Sequence, residues 1–159
     1  MSVWPEPVER VAAELRLRGV DARIEEFERG TRTAEDAAKA VGCDTSQIVK
    51  SLVFVCDGLP VLALVPGDRR ADAGKVASAA GAGYARMATA SEVQAATGFD
   101  PGGVAPFPAP PAARVVIDHE LLRHETIWIG AGSARHVVGI APADAVRLSS
   151  AEPADLSEA

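Results

Sequence analysis

Residues 48–56, Ile48-Val49-Lys50-Ser51-Leu52-Val53-Phe54-Val55-Cys56, decide how the rest of this chain is read. β-branched and aromatic side chains dominate the stretch and Asp57-Gly58 closes it, which predicts a strand ending in a tight turn. A second apolar run, Val61 to Val65, follows and stops at Pro66-Gly67-Asp68, so the two strands form an antiparallel hairpin. Lys50 is the one charged residue of the first strand. A lysine ammonium is not buried charged without a partner. It must reach a carboxylate, a cleft or a ligand phosphate, or else lie on a sheet edge and run out to water.

Toward the N-terminus, Val8, Val11, Ala12 and Leu15 recur at helical spacing between Pro5 and Arg18, with Gly19 as the stop. Ala22 to Phe27 is a short, half-alternating strand, with Gly30 marking the turn after it. A helix then opens at Thr33, with Asp36 as an acidic variant of the capping box, and ends at Gly42. Beyond the hairpin, Asp72 to Ala80 and Ser91 to Ala96 predict peripheral helices, the second with Ser91 and Gln94 in capping-box positions and Gly98 as its cap. Pro101 to Pro111 carries five prolines together with Gly102-Gly103, which predicts a shaped loop without regular structure. Strands at Arg114–Asp118, Ile127–Ile129 and Val137–Ile140 follow, with helical turns at His119–Leu122 and at Ala143–Val146 after Pro142. This order lacks the alternation of a doubly wound sheet. The fold class is therefore α+β: one domain over residues 1–148, and a flexible tail over 149–159, where little remains to bury.

A chain of 159 residues suits one domain. Its 48% hydrophobic and 24% charged residues exclude bulk disorder, collagen and coiled coil. With 16 Lys+Arg against 22 Asp+Glu, the net charge of −6 argues against coating DNA or RNA by bulk electrostatics and leaves only local recognition of a nucleic-acid end. Two cysteines, Cys43 and Cys56, are too few for a disulfide framework, which fits a reducing cytoplasm. The first ten residues carry acids and prolines rather than the pattern of a secretory signal. No apolar run reaches the roughly 18 to 20 residues of a membrane helix, so no membrane partner is expected.

Most catalytic patterns fail. Gly74-Lys75 is followed by Val76 and lacks the glycine spacing of a phosphate loop; Gly130-Ala131-Gly132 lacks the third glycine of a dinucleotide fingerprint, where Arg135 stands. His119, His124 and His136 are scattered and neither cysteine has a partner at zinc-clip spacing, so no metal is expected beyond the chance that Asp118 joins a histidine in space. Ser46 lies four residues before Lys50 rather than three, and no serine sits in a nucleophile elbow. Three features survive. Lys50 is one. Gly102-Gly103-Val104-Ala105-Pro106 is another, either an anion- or oxyanion-holding loop of free amides walled by Pro106 or a plain connection rich in proline. Gly130-Ala131-Gly132-Ser133 is the third, a turn that either joins two strands or lets the backbone approach a ligand.

With these segments in view, the chain resembles the YbaK family, free-standing relatives of the editing domain inserted in bacterial prolyl-tRNA synthetases. The resemblance runs from about Thr33 to Leu148. It is carried by Thr33-Ala34-Glu35-Asp36-Ala37-Ala38, by Ile48 to Phe54, by Thr97-Gly98-Phe99 with Gly102 to Phe107, and by Gly130-Ala131-Gly132. It implies a mixed, mostly antiparallel and partly barrel-like sheet with peripheral helices. It also implies hydrolysis in trans of a small amino acid, such as alanine or cysteine, wrongly attached to a proline tRNA. Lys50 matches the lysine most tied to activity, Gly102 and Pro106 match a glycine-x-x-x-proline loop, and Leu52 matches a pocket wall beside Ser51. The turn carrying Gly132 and Ser133 faces the same cleft in that comparison, and His136 falls near a pocket histidine at a spacing that differs by about a residue; Val104 is expected to wall this cleft with Leu52 and Pro106, and the amides near Gly102 and Gly103 to polarise the carbonyl. Gln47, where an acidic residue often stands, and the stretch Pro108 to Ala113 depart from the family pattern. The expected partner is the acceptor end of the tRNA, presented by prolyl-tRNA synthetase or another carrier, with no cofactor. The rival reading is a binding module that holds an aminoacyl or nucleotide end without hydrolysing it.

Overall fold

The structure is a computed structural model, and it describes residues 4–28, 33–108 and 113–158. The turn at Gly30 and residues 109–112 of the proline-rich loop lie outside the described residues. Helix α1 (Glu6–Leu17) carries proline in its first turn and buries Val8, Val11, Ala12 and Leu15, the stripe that its spacing predicts. Strand β1 (Arg23–Glu26) follows, then α2 (Ala34–Val41), capped by the Thr33 side chain at Asp36 and ended by left-handed Gly42. The hairpin is β2 (Val49–Cys56) and β3 (Leu59–Pro66), in register from Val49 opposite Pro66 to Cys56 opposite Leu59. After it come α3 (Ala73–Ala79), β4 (Ala85–Met87), α4 (Ala90–Thr97), β5 (Arg114–Asp118), β6 (Ile127–Ser133), β7 (His136–Ile140), α5 (Pro142–Ser149) and β8 (Glu152–Ala154).

The strands form two sheets. One is antiparallel, in the order β1-β7-β6; the other is mixed, in the order β4-β2-β3-β5-β8, with β3, β5 and β8 parallel. Neither sheet closes on itself, so the partly barrel-like expectation gives way to two open sheets. Strand alternation explains how the five-stranded sheet is buried on both faces. Val49, Val53, Leu62, Leu64, Val115 and Ile117 pack on one side, and Phe54, Cys56, Val61, Ala63, Val65 and Val116 pack on the other.

Three local expectations change. The α4 capping box is formed by Thr89 and Glu92, two residues before the pair the sequence suggests, because Thr89 is the residue held extended outside the helix. The proline-rich loop opens with a 3-10 turn at Pro101–Gly103. The tail predicted to be flexible instead pairs β8 with β5 and buries Leu156. Its anchor is Asp118, wholly buried, whose carboxylate accepts from the Leu156 amide at 3.0 Å and the Ser157 hydroxyl at 2.8 Å. That carboxylate also accepts from the Glu120 amide at 2.9 Å, so it serves as a latch for the tail.

Candidate functional site

The three-residue strand β4 pairs with β2 only at Phe54–Cys56, which leaves Lys50, Ser51 and Leu52, among the described residues, with a strand neighbour on the β3 side alone. A cleft of about 290 Å³ opens along this bare edge. Its far wall is the end of β6 with the start of β7, its roof is the turn at Pro101 and Gly102 followed by Val104, and the first turn of α2 closes one side. Glycines let these walls come together. A Cβ at Gly103 would lie 2.6 Å from the Ser133 Cα, and one at Gly130 would lie 2.7 Å from the Val104 carbonyl oxygen, so the roof rests flush on β6.

Lys50 is half-buried in this cleft, and its ammonium donates to the carbonyl of Arg69 in the turn after β3. Of the alternatives open from sequence, the edge position and the cleft both hold, because the edge itself lines the cleft. Leu52, Gly102 and Val104 line it too. Ser51 contributes a buried hydroxyl oxygen that has no hydrogen-bond partner among the described residues. Ser133 and His136 complete the far wall. Ser133 Oγ lies 2.6 Å from His136 Nδ1 and accepts from the Arg135 amide at 3.0 Å.

Three expected residues do not line the cleft. Gly132, with φ of 105°, turns away from it, and a Cβ there would strike the Pro7 carbonyl at 2.7 Å, so this glycine seats β6 on α1. The Gly130–Ser133 segment is accordingly not a turn but the bulged end of β6. Pro106 is buried beyond the cleft wall. Gly103 is buried in the roof, and its amide, expected among the free donors of the loop, is spent on the Asp100 carbonyl at 2.9 Å because the 3-10 turn requires it.

Several lining residues were missed in the sequence. Trp128 forms part of the wall, held against Gly139 so closely that a Cβ there would lie 2.8 Å from its ring. Ala34 and Ala37 belong to α2 and Thr33 caps it, and nothing in the local sequence says that this helix abuts the hairpin. Glu26, on β1, stands opposite His136 in the β1–β7 register, with Oε2 3.3 Å from Nε2. Neither cysteine offers a nucleophile here. Burial first, and then Asp44 beside Cys43 and Asp57 beside Cys56, push both thiols above their ordinary range.

Comparison with known proteins gives a consistent picture. Residues 28–148 match the model of the aminoacyl-tRNA editing domain family. YwhH, an uncharacterised protein of Bacillus subtilis, is 34% identical over 127 residues, covering 79% of this chain and 80% of its own length. A proline–tRNA ligase of Nitratidesulfovibrio vulgaris is 36% identical over 105 residues, 66% of this chain, which spans only 18% of that much longer enzyme. Among solved structures, a candidate trans-editing enzyme for prolyl tRNA synthetase superposes with a TM-score of 0.89 at 37% identity, covering 98% of this chain and 99% of its own.

Proposed function

The chain belongs to the aminoacyl-tRNA editing domain family, and on that premise we propose that it hydrolyses mischarged aminoacyl-tRNA in trans, releasing a small amino acid such as alanine or cysteine from a proline tRNA. The observation that carries this reading is the single cleft that holds Lys50, Leu52, Gly102, Val104, Ser133 and His136 between the bare edge of β2 and the end of β6.

The substrate is an activated ester, so position and charge stabilisation suffice and no protein nucleophile is required. In this mechanism the Lys50 ammonium, steered by the Arg69 carbonyl, holds the phosphate or ester end of the acceptor terminus. A water molecule attacks the ester carbonyl carbon, the bond from that carbon to the ribose oxygen breaks, and the amino acid leaves from a free ribose hydroxyl. The Gly102 amide is the roof donor that would polarise the carbonyl, since Gly103 already serves the turn. Selection against large side chains would come from the walls formed by Leu52, Val104 and Trp128, where overlap excludes bulk more sharply than a missing methylene weakens binding. The net charge of −6 favours a grip on the acceptor end alone. Prolyl-tRNA synthetase or another carrier would then supply the tRNA, and a cytoplasmic site of action follows.

The test is a panel of alanyl, cysteinyl and seryl tRNAs on several tRNA bodies, scored for amino-acid release by the purified protein. Release of a small residue from proline tRNA is the expected result. Tight binding without release from any member would overturn the enzyme reading in favour of a binding module.

A further inference from the structure

The end of the cleft opposite Lys50 holds a polar chain that the reaction above does not use. Ser133 Oγ, on the cleft wall, lies 2.6 Å from His136 Nδ1 and also accepts from the Arg135 amide at 3.0 Å. On the other side of the ring, which is only 2% exposed, Nε2 lies 3.3 Å from Glu26 Oε2 in an electrostatic contact rather than an aligned hydrogen bond. Two charged neighbours among the described residues are engaged elsewhere. The Arg135 guanidinium donates to the carbonyls of Phe27 and Glu28, and Glu25 pairs with Arg23.

A ring nitrogen facing a carboxylate carries the proton, since two lone pairs would repel there. In neutral His136 the proton therefore sits on Nε2, and Nδ1 presents a lone pair to Ser133. The Ser133 hydroxyl then donates to Nδ1. One of its two lone pairs is taken by the Arg135 amide, and the other remains for the cleft. Without Glu26 the opposite tautomer becomes accessible: Nδ1–H donates to the serine oxygen, and the serine offers the cleft a proton instead. Glu26 thus decides whether this wall accepts or donates.

An aminoacyl ester carries a positive α-ammonium, which the Lys50 ammonium repels and an oxygen lone pair backed by a carboxylate attracts. We infer that Ser133, kept as an acceptor by His136 and Glu26, binds the α-ammonium of the aminoacyl group, so that the site requires a free amine and Glu26 acts as a positioning residue. The inference rests on the editing function proposed above and names how that site recognises its substrate. Glu26 also lies outside the 28–148 segment matched by the family model.

The experiment compares alanyl-tRNA with N-acetyl-alanyl-tRNA as substrates. In parallel it compares the stable amide analogue alanylamido-adenosine, with and without the acetyl group, as a ligand. The protein should prefer the free amine by roughly ten- to a hundredfold in both assays, the scale of a hydrogen bond to a charged group. Ser133→Ala and Glu26→Ala should lose most of that preference by raising KM with kcat little changed, because the contact exists before the transition state. Equal handling of free and acetylated compounds by the unaltered protein would overturn the inference, as would Glu26→Ala matching it. If no tRNA is deacylated yet the free-amine analogue is preferred in binding, the editing function falls and the ammonium site stands.

Discussion

At the scale of single residues, Lys50 keeps a charge inside a largely apolar strand by donating to the Arg69 carbonyl. If it holds the reacting end of the substrate, Lys50→Ala should lower deacylation by roughly a hundredfold or more, the scale of losing reactive alignment. Single-turnover rates on a mischarged tRNA would check this, and unchanged rates would remove Lys50 from the mechanism. Gly130 answers to a different constraint. Its missing side chain admits the Val104 carbonyl, so Gly130→Ala forces a 2.7 Å contact with backbone that cannot swing aside. The expected cost is about 1 to 3 kcal/mol, read from denaturant unfolding, with activity falling as the roof lifts from β6. Lys50 stood out in the sequence because charge is conspicuous in an apolar run. Glu26 did not, because an acid in a short, half-polar strand looks like any solvated edge.

At the scale of elements, the start of α4 shows how a motif can be right in kind and wrong in place. Thr89 and Glu92 exchange the reciprocal bonds of a capping box, and Glu92 also takes a bidentate pair from Arg86 at 2.9 Å twice. Thr89→Ala should therefore cost about 1 kcal/mol, whereas Ser91→Ala should be close to neutral; thermal melts of the two variants separate them. The hydrogen bond from Arg86, followed by that from the Thr89 amide, lowers the Glu92 carboxyl from 4.5 to about 2. A depressed carboxyl stabilises the fold above its unfolded value and loses that contribution as pH falls toward the folded value. Stability from this exposed pair should accordingly be full above about 4.5 and fade down to about 2. Glu92→Gln should flatten that part of the melting-temperature profile, and a profile that keeps its acid slope would refute the assignment.

At the scale of the whole molecule, β8 and the residues after it complete the five-stranded sheet. Arg114 clasps Glu152 in two bonds of 3.0 and 2.9 Å, Lys75 reaches Asp155 at 2.9 Å, and Asp118 gathers Leu156 and Ser157 beneath them. Asp118→Ala strands buried donors, for an expected loss of about 3 kcal/mol. That corresponds to a fall of roughly 6 to 12 °C in melting temperature, with the cleft intact at lower temperature. A variant that melts with the unaltered protein would show that the latch is dispensable.

The strand–turn–strand run at 48–66, the helical stripe of α1, the α+β class and Lys50 as the conspicuous charge were all written in local pattern. Periodicity and turn chemistry act over a few residues and are visible in one dimension. Only the tertiary structure decided that the short β4 leaves the Lys50 edge bare, that Gly132 seats α1 rather than the cleft, that Trp128 and α2 wall the site, and that Glu26 meets His136. It also turned a polar, apparently unburiable tail into the last strand of a sheet. Each of these depends on a pairing or contact between residues distant in sequence, whose energy comes from the partner and leaves no mark on the local composition.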